Sequence, residues 1–173
     1  MYSGKLVTLR AMERGDLAKS RRWVNDAQIT PLIGRALPVS DLEHERWFAR
    51  IMENEKTVMF AVETKKGKRH IGIIWLWNID YRNRKAEARI IIGNKRYWGK
   101  GYGQEALGLL VNFAFQSLNL KKVYAHVLKD NLRAVKAFEK LGFFREGDLK
   151  GEFFINGGYR DACRMGLINN SVQ

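Results

Sequence analysis

The chain reads as an α/β protein built on one mixed sheet flanked by helices. Three features predict this: apolar stretches of strand period that pair as hairpins toward both ends, a β-α-β-α order between them, and no Pro- or Ser-rich linker or internal repeat to divide the chain. Its 173 residues, 46% hydrophobic, suffice for one sizeable core and are short for two, so a single domain over 1–173 is expected.

Residues 6–10 read as a short strand, and Asp16 caps a helix running through Leu17, Trp23 and Val24. Residues 27–40 hold both prolines, Pro31 and Pro38, and read as a loop. A helix over 41–52 follows, with Leu42, Trp47, Phe48 and Ile51 inward and Ser40 with Glu43 as a capping box. The period then changes: residues 58–62 and 71–79 are strands of a hairpin turned through 65–69, with Gly67 in the middle. Residues 86–92 form a further strand ended by Gly93 and Asn94. The next helix is amphipathic through Leu107, Leu110, Val111, Ala114 and Leu118. Residues 123–128 return to strand. Asn131 opens a second amphipathic helix with Ala134, Val135, Phe138 and Leu141 inward and Gly142 as its stop. Residues 153–155 and 162–168 flank Asn156 and Gly157 as a final hairpin.

Composition excludes several classes. The longest apolar stretch, residues 71–77, falls far short of the roughly 20 residues a membrane helix needs. Residues 1–15 carry Lys5, Arg10, Glu13 and Arg14 where a signal peptide needs an apolar core, so a cytoplasmic location is expected. Cys163 is the only cysteine, which rules out an internal disulfide and fits a reducing compartment. Three scattered histidines and that cysteine give no metal-ligand spacing, and no metal is expected. Lys plus Arg exceed Asp plus Glu by 31 to 18, and the net charge of +13 is spread along the chain. That is either a solvated surface or an attraction for polyanions: a phosphate-rich cofactor, nucleic acid or a ribosome.

The segment richest in chemistry lies between a strand and a helix: Arg96, Tyr97, Trp98, Gly99, Lys100, Gly101, Tyr102, Gly103 and Gln104. Glycines at every second position leave the backbone bare, so several N–H groups can turn toward one anion at the helix start. A Gly-Lys-Ser/Thr ending and the final glycine of a dinucleotide fingerprint are both missing, so neither of those phosphate loops applies. The alternative is a tight strand-to-helix connection and nothing more.

Arg96-x-x-Gly99-x-Gly101 matches the R/Q-x-x-G-x-G/A motif of the GNAT acetyltransferase superfamily. Asn131-x-x-Ala134 followed by Glu139-Lys140-Leu141-Gly142-Phe143 resembles the same family, as do Leu9-Arg10, Trp23-x-Asn25-Asp26 and the segment from Phe153 to Gly157. From Arg84 onward the chain is similar, without evident gaps, to the spermidine and ribosomal-protein alanine N-acetyltransferase branch. The resemblance implies acetyl-CoA as co-substrate and an amine as acceptor. It further implies that the backbone of Ile90, Ile91 and Ile92 pairs with the pantetheine arm, that the loop from Arg96 onward holds the pyrophosphate, and that Asn131 contacts the CoA arm. Asn131 also suits a helix N-cap, and one side chain can do both. In that fold Lys100, Lys129, Arg133, Lys136 and Lys140 cluster around the loop, though Lys136 and Lys140 are equally an exposed i, i+4 pair.

Transfer from a thioester to an amine needs geometry, loss of the amine's proton and stabilised charge. An alkylammonium has a pKa of about 10.4, so a base must act before attack at neutral pH. Glu87, early in the strand before the loop, is the candidate, with an ordinary carboxylate paired to Arg84 or Arg89 as the alternative. Many members of the family the chain resembles carry a tyrosine acid one turn before Leu-Gly-Phe; Phe138 stands there and cannot donate a proton. His126 shares a strand face with Tyr124 and Leu128, near the substrate or simply packed, while His44 suits the surface or the substrate's lip. Cys163 reads as an apolar filler.

The acceptor stays open. Polyamine sites need acids, and residues 29–39 contain none while including Arg35. Residues 43–48 resemble the corresponding helix of relatives that acetylate amino sugars on nucleotide carriers, and a protein N-terminus is an equal alternative. A homodimer is an allowed assembly. From another class, a basic nucleic-acid-binding module on this fold fits the charge, though no arginine-rich run or aromatic RNA signature is present.

Overall fold

The computed structural model describes residues 1–34 and 37–171. Arg35 therefore lies outside the described residues. Eight strands form one sheet in the order β1-β2-β3-β4-β5-β6-β8-β7. In chain order they are β1 (Tyr2–Ser3), β2 (Val7–Ala11), β3 (Val58–Thr64), β4 (His70–Asp80), β5 (Lys85–Ile92), β6 (Lys122–Leu128), β7 (Phe144–Ile155) and β8 (Gly158–Ile168). Every neighbouring pair is antiparallel except β5 and β6. The expected mixed sheet is thus present, with both hairpins in place.

The helices are α1 (Leu17–Val24), α2 (Asp41–Met52), α3 (Tyr102–Gln116) and α4 (Leu132–Glu139). Leu107, Leu110, Val111 and Ala114 of α3 pack with Val7, Leu9, Ile74, Leu76 and Ala86 in one core. Val24 of α1 and Phe48 and Ile51 of α2 pack with Met59, Ile73 and Ile91 in a second. Leu118 falls beyond the end of α3 yet still packs on its core. Ser40 and Glu43 form the expected capping box on α2. Leu42, expected inward, is 55% exposed, because the buried arc of α2 runs through His44, Phe48 and Ile51 and leaves it out of phase.

Asp16 stands at the N-cap of α1 but makes no side-chain cap bond. Instead Arg10 donates to both its oxygens, at 2.7 and 2.8 Å, and the Glu13 amide to one, at 3.0 Å. His70 Nδ1 lies 3.0 Å from Asp16 at ion-pair distance, out of hydrogen-bond alignment. Burial pushes the Asp16 carboxyl upward, and the bonds from Arg10 and Glu13 with the charge of His70 bring it net below its ordinary value. A depressed carboxyl contributes stability that is present above the unfolded pKa of about 3.9 and lost as pH falls through the folded one. Arg10→Met strands a buried carboxylate and should cost about 3 kcal/mol in urea unfolding at neutral pH. The deficit relative to the natural chain should shrink as pH drops below about 4.

The feature that positions the site is a split in the sheet. β5 and β6 pair only from Lys85 to Glu87 against Lys122 to Tyr124. Beyond that, β5 stays with β4 and β6 with β8, and the two strands part in a wedge.

Candidate active site

Two cavities flank the wedge. The larger, of about 1050 Å³, has one sheet face as its floor. Ile73, Trp75 and Trp77 of β4 stand in register with Ile91, Arg89 and Glu87 of β5, and His126 and Leu128 of β6 continue the surface. Its far wall is α2, through Glu43, Arg46, Trp47 and Arg50, with Glu152 and Phe153 of the β7–β8 hairpin closing one side. The smaller cavity, of about 380 Å³, runs along Ile90, Ile91 and Ile92 to the glycine loop and α4. The two share Ile90, Ile91, Asn131, Ala134 and Phe138, so they meet across the wedge.

The smaller cavity collects most of the expected cofactor residues: Ile90, Ile91, Ile92, Tyr97, Trp98, Gly99, Gly101, Gly103, Gln104, Asn131, Arg133, Phe138 and Lys140 all line it, with Lys136. Arg96, Lys100 and Tyr102 do not; the Tyr102 ring packs edge-on against Tyr97 at 4.8 Å. Lys129 also stands apart, ion-paired to Asp148 at 3.1 Å.

Local sequence explains the loop. The Arg96, Tyr97 and Trp98 amides are used in a turn on Asn94 and Lys95. Gly99 and Gly101 then take φ of 71° and 84°, left-handed values that a residue with a Cβ rarely adopts. Among the described residues, no hydrogen bond occupies the amides of residues 99–104, and Glu105 donates the first helical bond, to Gly101. Six free amides at the start of a 15-residue helix, beside Arg133, Lys136 and Lys140, fit a diphosphate. The Glu105 carboxylate does not compete there, since it accepts from the Leu6 and Val7 amides at 2.7 and 2.9 Å. Asn131 caps α4 by accepting from Ala134 at 3.3 Å, which leaves its amide NH₂ for a ligand. Arg133 lies over the Trp98 ring at 3.7 Å, and the Trp98 indole donates to Ile92 O at 2.5 Å. At Ile92, then, the carbonyl is held by an indole; ladder bonds alternate along β5, and the Gly93–Ile71 bond puts Ile91 in phase with β4, which leaves the Ile90 backbone facing the wedge for an extended ligand.

Glu87 lies in the larger cavity, 8% exposed, and Arg89 donates to both its oxygens at 2.9 and 3.1 Å. Of the two partners suggested by sequence, Arg89 is the one found; Arg84 bonds Asn119 instead. His126 Nδ1 is 3.6 Å from Glu87. Tyr124 is pushed above its ordinary pKa by burial and by the Glu87 charge. Phe138 is buried with its ring edge-on to Phe143, a hydrocarbon surface where the two cavities join. His44 is not at the surface: it is 4% exposed, 2.7 Å from Ser20 Oγ and stacked on Trp47, forming part of the cavity wall. Trp75, Trp77, Arg50 and Glu152 are lining residues that sequence reading missed, while Arg46 belongs to the 43–48 segment it singled out. The α2 set was signalled by its i, i+3, i+4, i+7 spacing from Glu43.

Among the described residues, no cluster of three or more His, Cys, Asp or Glu is placed to hold a metal, and no helix is long and apolar enough to cross a membrane.

A split sheet with free loop amides on one side and a carboxylate-bearing cavity on the other defines an acyl-CoA N-acyltransferase. Residues 7–144 match the acetyltransferase (GNAT) domain family, and the chain belongs to it. It is 36% identical over 164 residues to a spermidine N(1)-acetyltransferase of Vibrio cholerae, covering 95% of this chain and 94% of that one. It is also 36% identical to the Escherichia coli K12 spermidine N(1)-acetyltransferase over 98% of this chain and 90% of the other. The crystal structure of the Vibrio cholerae enzyme in complex with CoA and spermine superposes with a TM-score of 0.88 at 36% identity, over 94% and 95% of the two chains. The protein is therefore an acetyl-CoA-dependent N-acetyltransferase.

Proposed function

We propose that this single domain moves an acetyl group from acetyl-CoA in the smaller cavity directly to a primary amine in the larger one. The observation that carries this reading is the meeting of the two cavities at Ile90, Ile91, Asn131 and Phe138, beside the wedge. Amides of residues 99–104 with Arg133, Lys136 and Lys140 hold the phosphates, and proton removal belongs to the Glu87 side of the floor. Phe138 supplies no proton, so a thiolate leaving there takes one from solvent or from the amine itself.

A polyamine is the acceptor class supported by the relatives, and Glu43, Glu87, Glu152 and the indoles of Trp75 and Trp77 are groups that receive ammonium charge. A specific observation favours a second acceptor: Arg46 and Arg50 on the cavity side of α2 match those carboxylates with positive charge, which suits an amino sugar on an anionic carrier. A panel of spermidine, an N-terminal alanyl peptide and a nucleotide-linked amino sugar, assayed by acetyl-CoA consumption, separates these. Spermidine should give the highest kcat/KM; preference for the nucleotide-linked sugar establishes the second reading, and no turnover with any amine defeats both. We further place the enzyme in the cytoplasm, with Cys163 reduced, and as a homo-oligomer; a related Vibrio cholerae structure is dodecameric. The +13 charge then serves to attract polyphosphates, acetyl-CoA among them.

A further inference from the structure

We infer that His126 is a catalytic residue of this site, the group that takes the proton from the acceptor amine, with the Glu87 charge beside its imidazole. The inference rests on the proposed reaction and assigns its proton path. His126 sits on β6 two residues past Tyr124, the last residue paired to β5, so its side chain stands in the wedge where the sheet opens. Its face of the sheet is the cavity floor, shared with Glu87, Arg89, Trp75 and Trp77.

The division of labour between the two groups follows from exposure and engagement. Both Glu87 oxygens already accept from Arg89, and the side chain is only 10% exposed. The His126 side chain is 26% exposed, and its Nδ1 faces Glu87 Oε1 at 3.6 Å. At 3.6 Å the carboxylate is beyond hydrogen-bond reach of Nδ1 and acts on the imidazole through its charge, and Nε2 is the ring nitrogen away from Glu87. No other imidazole is so placed: His44 is tied to Ser20, and His70 is at the start of β4 with its Nε2 at Gly72 O. The charged and titratable groups around His126 are Glu87 and Arg89 from β5, Tyr124 from β6 and Arg164 from β8, with Glu43, Arg46, Arg50 and Glu152 across the cavity.

Nε2 accepts one proton from the ammonium, and the freed amine attacks the thioester carbon, forming C–N and breaking C–S. The second nitrogen-bound proton neutralises the departing thiolate, and the proton on Nε2 returns to water.

The test compares the natural chain with His126→Gln and His126→Ala, each checked for folding by circular dichroism and for CoA affinity by calorimetry. His126→Gln should keep CoA affinity within about twofold and lose at least about 100-fold in kcat, the size of a general base. Its residual rate should climb with pH in step with the free-amine fraction, as for an uncatalysed deprotonation. Added imidazole should restore turnover to His126→Ala, which leaves a hole of that shape, and not to the natural chain. A folded His126→Gln with unchanged kcat and pH profile, or a His126→Ala whose loss imidazole never relieves, overturns the assignment. Absence of turnover in the natural chain with every amine is a different failure, that of the reaction itself.

Discussion

Gly101→Val should raise the Kd for CoA by at least about 100-fold while the chain stays folded. The wild-type φ of 84° is open to glycine and costs a β-branched residue roughly 1–2 kcal/mol, which the loop relieves by rotating out of the left-handed region. Space is not the obstacle, since a Cβ at this position meets only Leu6 Cδ1, at 3.6 Å. What is lost is aim: the amides on either side of Gly101 cease to converge. Two charge-assisted bonds at about 1.5 kcal/mol or more each amount to two decades of affinity. Gly108→Ala, in the same helix with ordinary contact to Leu141 at 3.4 Å, should bind CoA normally. Calorimetry on both variants reads the difference, and a folded Gly101→Val with natural affinity removes the cradle from the account.

The second large effect is expected at Glu87. Glu87→Gln keeps the shape and an oxygen for Arg89, and removes the charge that faces His126 and the incoming ammonium. Turnover should fall roughly 100-fold with CoA affinity within about twofold, because the residue lines the acceptor cavity and not the cofactor cleft. Steady-state kinetics with calorimetry separates the two quantities. Equal kcat at all pH values excludes Glu87 from the proton path.

Periodicity and caps made the centre of the fold legible. The inward arc of α3, the Asn131 cap and the Asn156-Gly157 turn are each local instructions that tertiary structure obeyed. The cofactor loop was legible for the same reason, since alternating glycines constrain backbone conformation by themselves. β7 was readable only at its last three residues. Its first part carries Arg145, Glu146, Asp148, Lys150 and two glycines, a loop-like composition; it is an edge strand held by ion pairs that arrive from β6, the turn after it and β8. Glu146 meets Lys122 and Arg164, Asp148 meets Lys129, and Lys150 meets Asp161. Asp16 looked like a cap because the spacing from a helix start is local, whereas its partners, Arg10 and His70, come from β2 and β4. The larger cavity was hidden for a related reason. Trp75 and Trp77 fall in an apolar strand with no local sign of which face is open, and only the parting of β5 from β6 leaves that face exposed to a cavity.

In the proposed reaction, bare main-chain amides at the start of α3 grip a diphosphate and so set the thioester at the wedge. Backbone ¹⁵N resonances followed during titration test it most directly, with CoA in one series and pantetheine, which lacks the diphosphate, in the other. Saturation with CoA should move the amides of Gly99, Gly101, Gly103 and Gln104 more than any others, and pantetheine should leave them in place while shifting Ile90 and Ile91. Loop amides that stay still under CoA, or that respond equally to both ligands, would contradict the account.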